Sequence, residues 1–118
     1  MKISDSEMEI MRIIWRKNAE VSAAQLLDEL TIRWKQTTVL TFLKRLVDKG
    51  ILSVRKEGKT NYYSPLISEN EYKTQQTRGF LKEVHSGSVS NFLTALYGGQ
   101  KPDKEEMEEL KKWFEEEV

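Results

Sequence analysis

The sequence predicts a mainly α fold with a small β-hairpin, in which a head of residues 1–66 precedes a helical region of residues 67–118. Three observations predict it. Apolar side chains recur at helical spacing in three short stretches before Gly50. Between Ile51 and Leu66 the pattern changes to β-branched and aromatic residues around a glycine-containing tip. Beyond Pro65 the helical spacing returns.

The first helix begins near Ser4 or Ser6, because each serine has a glutamate three residues later (Glu7, Glu9) in the capping-box arrangement. Met8, Ile10, Met11, Ile14 and Trp15 give it a wide apolar face, which is core, and Lys17-Asn18 ends it. Ser22 caps a second helix with Gln25 behind it, and Leu26, Leu27 and Leu30 face inward. A loop over Thr31–Gln36 leads to a third helix that stops at Lys49-Gly50, where glycine provides the left-handed residue. The runs Ile51–Lys56 and Thr60–Leu66 flank Glu57-Gly58-Lys59 and read as a hairpin, with one of Tyr62 and Tyr63 on the core. Three helices followed by a hairpin is the order of a winged helix-turn-helix head.

Residues 67–118 read as three more helices, at about 69–84, 88–97 and 104–117, with Ser68 opening the first and Asp103 capping the last. A segment of this size buries too little surface to be secure alone. Its apolar residues Tyr72, Phe80, Leu81, Val84, Phe92, Leu96, Leu110, Trp113 and Phe114 are therefore expected to form a C-terminal helical dimerisation region.

Charge points to the partner. The net charge is zero, yet residues 33–63 hold eight basic side chains against Asp48 and Glu57. A basic block in an otherwise acidic chain is the footprint of a polyanion. On the third helix, Val39, Phe42, Leu43, Leu46 and Val47 fall on one face. Thr37, Thr41 and Lys44 centre on the other, flanked by Thr38, Leu40 and Arg45. Hydroxyls, methyl groups and cations of this kind suit the major groove of double-stranded DNA. Arg55, Lys56 and Lys59 near the hairpin tip are expected to straddle the phosphate backbone.

Other classes fare worse. There is no cysteine, so neither a disulfide framework nor a thiolate metal site exists, and no apolar run is long enough to span or insert into a membrane. The first residues carry no signal-like apolar stretch, and a cytoplasmic location follows. A catalytic triad would rest on the single histidine, His85, which is expected to meet the carbonyls at a helix end. No catalytic residue, cofactor or metal is expected. Two rivals stay in view: a regulator sensing a small molecule among Phe92, Tyr97, Trp113 and Phe114, and a protein-interaction module.

Several motifs, in their order and spacing, resemble the BlaI/MecI family of penicillinase repressors, which also includes copper-responsive repressors. They are Ile3-Ser4 with Glu7, Met11 through Trp15, Trp34, Thr38-Val39 leading to Leu43 and Leu46, Lys49-Gly50, Tyr62-Tyr63-Ser64 and Glu108-Glu109-Leu110. The resemblance runs the length of the chain. It implies a homodimeric repressor on a palindromic operator. In the antibiotic-resistance members, a membrane-bound sensor protease system leads to cleavage within the dimerisation region. Where the staphylococcal members are cut at Asn-Phe, gapless alignment puts Ala95-Leu96, and an Asn91-Phe92 pair stands four residues earlier. The cysteine cluster of the copper-type members is absent, Leu40 replaces a basic residue, and Lys35 replaces a capping serine.

Overall fold

A double cap starts the chain's first helix. In the computed structural model, which describes residues 2–117, Ser4 precedes α1 (Asp5–Lys17). Its hydroxyl accepts the Glu7 N–H at 3.2 Å, and its own N–H donates to Glu7 Oε1 at 2.9 Å. Two orphan backbone donors are satisfied in this way. Ser22 and Gln25 repeat the device at α2 (Ala23–Glu29), with bonds of 2.8 and 3.3 Å.

Helix α3 (Gln36–Asp48) turns Val39, Leu43 and Leu46 into the core against Ile10, Met11 and Ile14 of α1 and Leu26 of α2. Its end is a Schellman turn. Gly50 N–H donates to the Val47 carbonyl at 3.0 Å and Ile51 N–H to that of Leu46 at 3.0 Å, while Gly50 takes φ +77°. Glycine alone adopts that angle without strain.

The chain then enters β1 (Leu52–Glu57) and returns in β2 (Thr60–Pro65), antiparallel, with Leu52 opposite Pro65 and Glu57 opposite Thr60. Gly58 opens the two-residue turn at φ +61°. Val21, just ahead of α2, adds a bridge to the free edge of β2 by exchanging bonds of 2.8 and 3.1 Å with Tyr63. Tyr63 is the inward tyrosine of the pair and Tyr62 is half-buried on the other face.

The head also takes in the start of α4 (Glu69–His85). Tyr72, expected in the dimerisation region, is buried in the head, where its hydroxyl accepts the Ile3 N–H at 2.7 Å. That N–H lies ahead of the α1 cap and needs an acceptor, which the phenol supplies. Trp15 packs beside it with ring centroids 6.0 Å apart and donates its indole N–H to the Ile67 carbonyl at 3.0 Å. The compact unit accordingly ends at Gln76, ten residues beyond the expected division after residue 66.

The second unit begins at Thr77 and holds the end of α4, α5 (Val89–Tyr97) and α6 (Lys104–Glu117). Asp103 caps α6 by accepting the Glu106 N–H at 2.9 Å. His85 meets a side chain and not the helix-end carbonyls: its Nδ1 lies 2.6 Å from Asn91 Oδ1, and its ring clusters edge-to-face with those of Phe80 and Phe92. The turn after α4, with Ser86 at φ 51° and Gly87 at φ 76°, brings Asn91 within that reach. Among the described residues of this unit none is buried.

Glu7 carries a testable consequence. Its side chain is 1% exposed, and Oε1 also accepts the Lys49 ammonium at 2.5 Å. Burial pushes the carboxyl up, but the bonds from Lys49 and Ser4 outweigh it, so the group titrates below its ordinary 4.5. A depressed folded value means stability that is fully present above 4.5 and lost as pH falls through the folded value. Glu7→Gln is expected to cost about 1–3 kcal/mol at neutral pH and to flatten the acid loss. Urea unfolding of both proteins at neutral and acid pH checks this, and identical pH profiles would contradict it.

Candidate nucleic-acid interface

With its apolar face committed to the core, α3 presents the opposite face outward. Thr37, Leu40, Thr41, Lys44 and Arg45 are exposed and Thr38 is half-buried. The Thr41 hydroxyl donates to the Thr37 carbonyl at 2.9 Å, so its proton is used while its lone pairs and methyl face solvent. Lys44 Nζ lies 4.0 Å from Asp48, both well exposed, which is a loose tether. The Arg45 guanidinium sits 5.7 Å from the centre of the Phe42 ring, itself 5.1 Å from Trp34. That stack steadies Arg45 at the edge of the face.

The hairpin divides its side chains by pleat. Val54, Lys56, Asn61 and Tyr63 share one face, while Arg55, Glu57, Thr60 and Tyr62 share the other. Tyr63 fixes the first as the side turned to the helices. Two adjoining clefts, about 310 and 380 Å³, separate this face from α3. Leu40, Asn61 and Tyr63 line both, with Gln36 and Lys59 at one end and Lys44 and Val54 at the other. The result is a trough of mixed lining, with Leu40 and Tyr63 in both clefts, Lys59 at one end, and Lys44 beside Asp48 at the other. Such a surface can seat a sugar–phosphate strand while α3 reaches base edges.

Arg55, expected to straddle the backbone, is engaged by carboxylates of this chain. Its guanidinium bonds Glu20 at 3.0 and 3.2 Å and Glu57 at 3.0 Å, and it lies 5.2 Å from the Tyr62 ring centre. Bonds from Glu20 and then Glu57 raise its pKa above the ordinary range. Alternation along β1 puts it on the far face from Lys56. By contrast, among the described residues no carboxylate stands within ion-pair distance of Arg45, Lys56 or Lys59.

Gln36 and Asn61 were not singled out by sequence reasoning, yet both border the trough. Gln36 is the first residue of α3, and recognition helices read chiefly with their N-terminal residues. The signal for Asn61 was parity: it stands two residues before the inward Tyr63.

A family model described as penicillinase repressor matches residues 3–116. The chain belongs to that family. A penicillinase repressor of Bacillus licheniformis is 32% identical over 117 residues, covering 98% of this chain and 91% of that one. The methicillin resistance regulatory protein MecI of Staphylococcus aureus strain N315 is 29% identical over 112 residues, 93% of this chain and 90% of MecI. The solved DNA-binding domain of the repressor BlaI is 40% identical with a TM-score of 0.54, over 60% of this chain and 88% of that domain. Monomeric Bacillus licheniformis BlaI in complex with the blaP half-operator is 38% identical, TM-score 0.52, over 61% and 89%. The family's winged-helix head is thus present here.

The remaining site residues lie in the second unit. Phe80, Val84, Leu96, Trp113 and Phe114 are exposed, and Leu81, Phe92 and Leu110 are half-buried. Ala95 and Leu96 are both exposed, inside α5. No group of metal-ligating side chains occurs among the described residues, and no described helix is long and apolar enough to cross a membrane.

Two kinds of DNA contact are expected on this surface. Lys56→Ala or Lys59→Ala is expected to weaken binding to all DNA alike and to lower the salt slope by about 0.9 for each phosphate lost. Gln36→Ala, Thr37→Ala or Lys44→Ala is expected to change sequence preference instead. Salt titrations against a preferred and a random duplex check both halves.

Proposed function

We propose that this chain is a transcriptional repressor that binds a palindromic operator as a homodimer and acts by binding, not by catalysis. The observation that carries this reading is the trough between α3 and the hairpin, lined by Lys44 and Lys59, with Lys56 on the same face of the hairpin. Its match to a repressor head solved on a half-operator supports the same reading. One head on one half-site calls for a second head on the other, and twofold symmetry supplies it.

The second unit supports the dimer. Trp113 and Phe114 are 56% and 58% exposed, and Phe80 49%, in a unit without a buried residue among those described. Aromatics left this open in one chain fit a symmetric partner. Relief of repression then follows from any event that parts the two copies. Cleavage at Ala95–Leu96 by a membrane-bound sensor protease system is one such event. α5 is nine residues long, shorter than a helix that holds itself in water, so it can unwind into a protease cleft at small cost. The site of action is the cytoplasm, where the operator is.

Selection of preferred sites from random duplex DNA tests the reading, with salt titrations of the winners. A dyad with half-sites about one helical turn apart, bound far more tightly than random duplex, is the expected result. No enrichment together with weak binding at physiological salt overturns it. Sedimentation of wild type and Trp113→Ala tests the dimer: a twofold mass for the first and a loss of association for the second are expected.

A further inference from the structure

We infer that Arg55 is a positioning residue of the wing and not a phosphate contact: its guanidinium, clasped by Glu20 and stacked on Tyr62, sets the angle at which Lys56 and Asn61 meet DNA. The inference rests on the proposed DNA-binding reading and goes beyond it.

The bonds identify a strut. Nε and Nη2 engage the two oxygens of Glu20 at 3.0 and 3.2 Å, the parallel fork that guanidinium and carboxylate form best. Nη1 takes Glu57 on the same strand at 3.0 Å. The Tyr62 ring, the cross-strand neighbour of Arg55 in register, lies beneath the guanidinium at 5.2 Å. An isolated exposed ion pair does little, but a bidentate pair within a network is where such pairs matter.

Its span gives it leverage. Glu20 precedes Val21, which pairs with Tyr63 on the free edge of β2. Arg55 therefore ties β1, across β2, to the segment that enters α2. A two-stranded ribbon has a weakly defined twist of its own. Pinning one face to the segment before α2 fixes the roll of the ribbon, and with it the direction of Lys56 and Asn61 on the opposite face. Two carboxylates on one cation also leave a local negative excess, which repels phosphate at this spot.

Glu20→Ala separates the possibilities. It raises net charge by one and frees Arg55, so a phosphate-contact role makes operator binding tighter and steepens the salt slope by about 0.9. A strut role makes specific binding several-fold weaker with the slope unchanged. Arg55→Lys is the second variant. Lysine replaces a point contact to phosphate but not a bidentate fork. The strut predicts several-fold loss at constant slope, and the contact predicts wild-type affinity. Tighter or unchanged binding in either variant overturns the inference. A wild-type protein that enriches no site overturns the DNA reading itself and this inference with it. Intact wild-type binding distinguishes the first failure from the second.

Discussion

The buried carboxylate of Glu7 is the constraint on which the head depends. One oxygen closes the cap of α1 and also receives Lys49 at 2.5 Å, and the same ammonium reaches the Lys2 carbonyl at 3.0 Å. The second oxygen is buried and has no hydrogen-bond partner among the described residues. An unfilled lone pair makes the pair a poor source of net stability, and an apolar substitute of the same volume could hold as well. Its contribution is geometric. Lys49 is the last residue before the Schellman glycine, so this bond fixes the end of α3 to the beginning of α1. Slippage of α3 by a turn would leave a charge buried alone, which costs far more than the pair contributes.

With both ends of that link set, the apolar contacts complete the arrangement. Val39, Leu43 and Leu46 turn inward against Ile10, Met11 and Leu26, and the outward direction of Thr37, Leu40 and Thr41 follows from helical geometry. Ile51 and Leu52 enter the core directly after the turn, so the hairpin leaves α3 at a fixed point. The head is self-sufficient by this measure and the second unit is not. On the proposed reading, the difference divides the labour. The head fixes what is read, and the second unit fixes whether two heads read together. Linking two heads converts the second binding event into an intramolecular one. Parting them lowers operator occupancy without touching a single base contact.

Much of this was legible in the sequence because the deciding signals are local. The serines with Glu7 and Gln25 three residues on, the glycine after Lys49 and the Asp103 cap all act within one turn, and the helix limits followed. What escaped depends on contacts between distant residues. Glu7 reads as an ordinary cap, and nothing nearby reveals that Lys49, 42 positions later, reaches it. Tyr72 on an amphipathic helix looks the same whether it faces its own head or a partner; the Ile3 N–H, 69 positions away, decides. His85 took its partner from Asn91 across a turn whose left-handed serine no local rule requires.

The charge pattern shows the same limit in a more consequential form. Eight basic residues in 33–63 point to a polyanion partner. Their number overstates the field offered to it. Lys49 is spent on Glu7, Arg55 on Glu20 and Glu57, and Lys44 is loosely shared with Asp48. Among the described residues, Arg33, Lys35, Arg45, Lys56 and Lys59 have no acidic partner within reach. Neighbours in sequence thus lie on opposite faces: Lys56 shares the face of Asn61 and Tyr63, while Arg55 meets Glu20 and Glu57 on the other. Pleat parity decides between them, and parity is visible only once one residue, here Tyr63, is known to point inward. Charge composition locates a nucleic-acid face, but the number of cations available to phosphate is set by which of them the fold has already used.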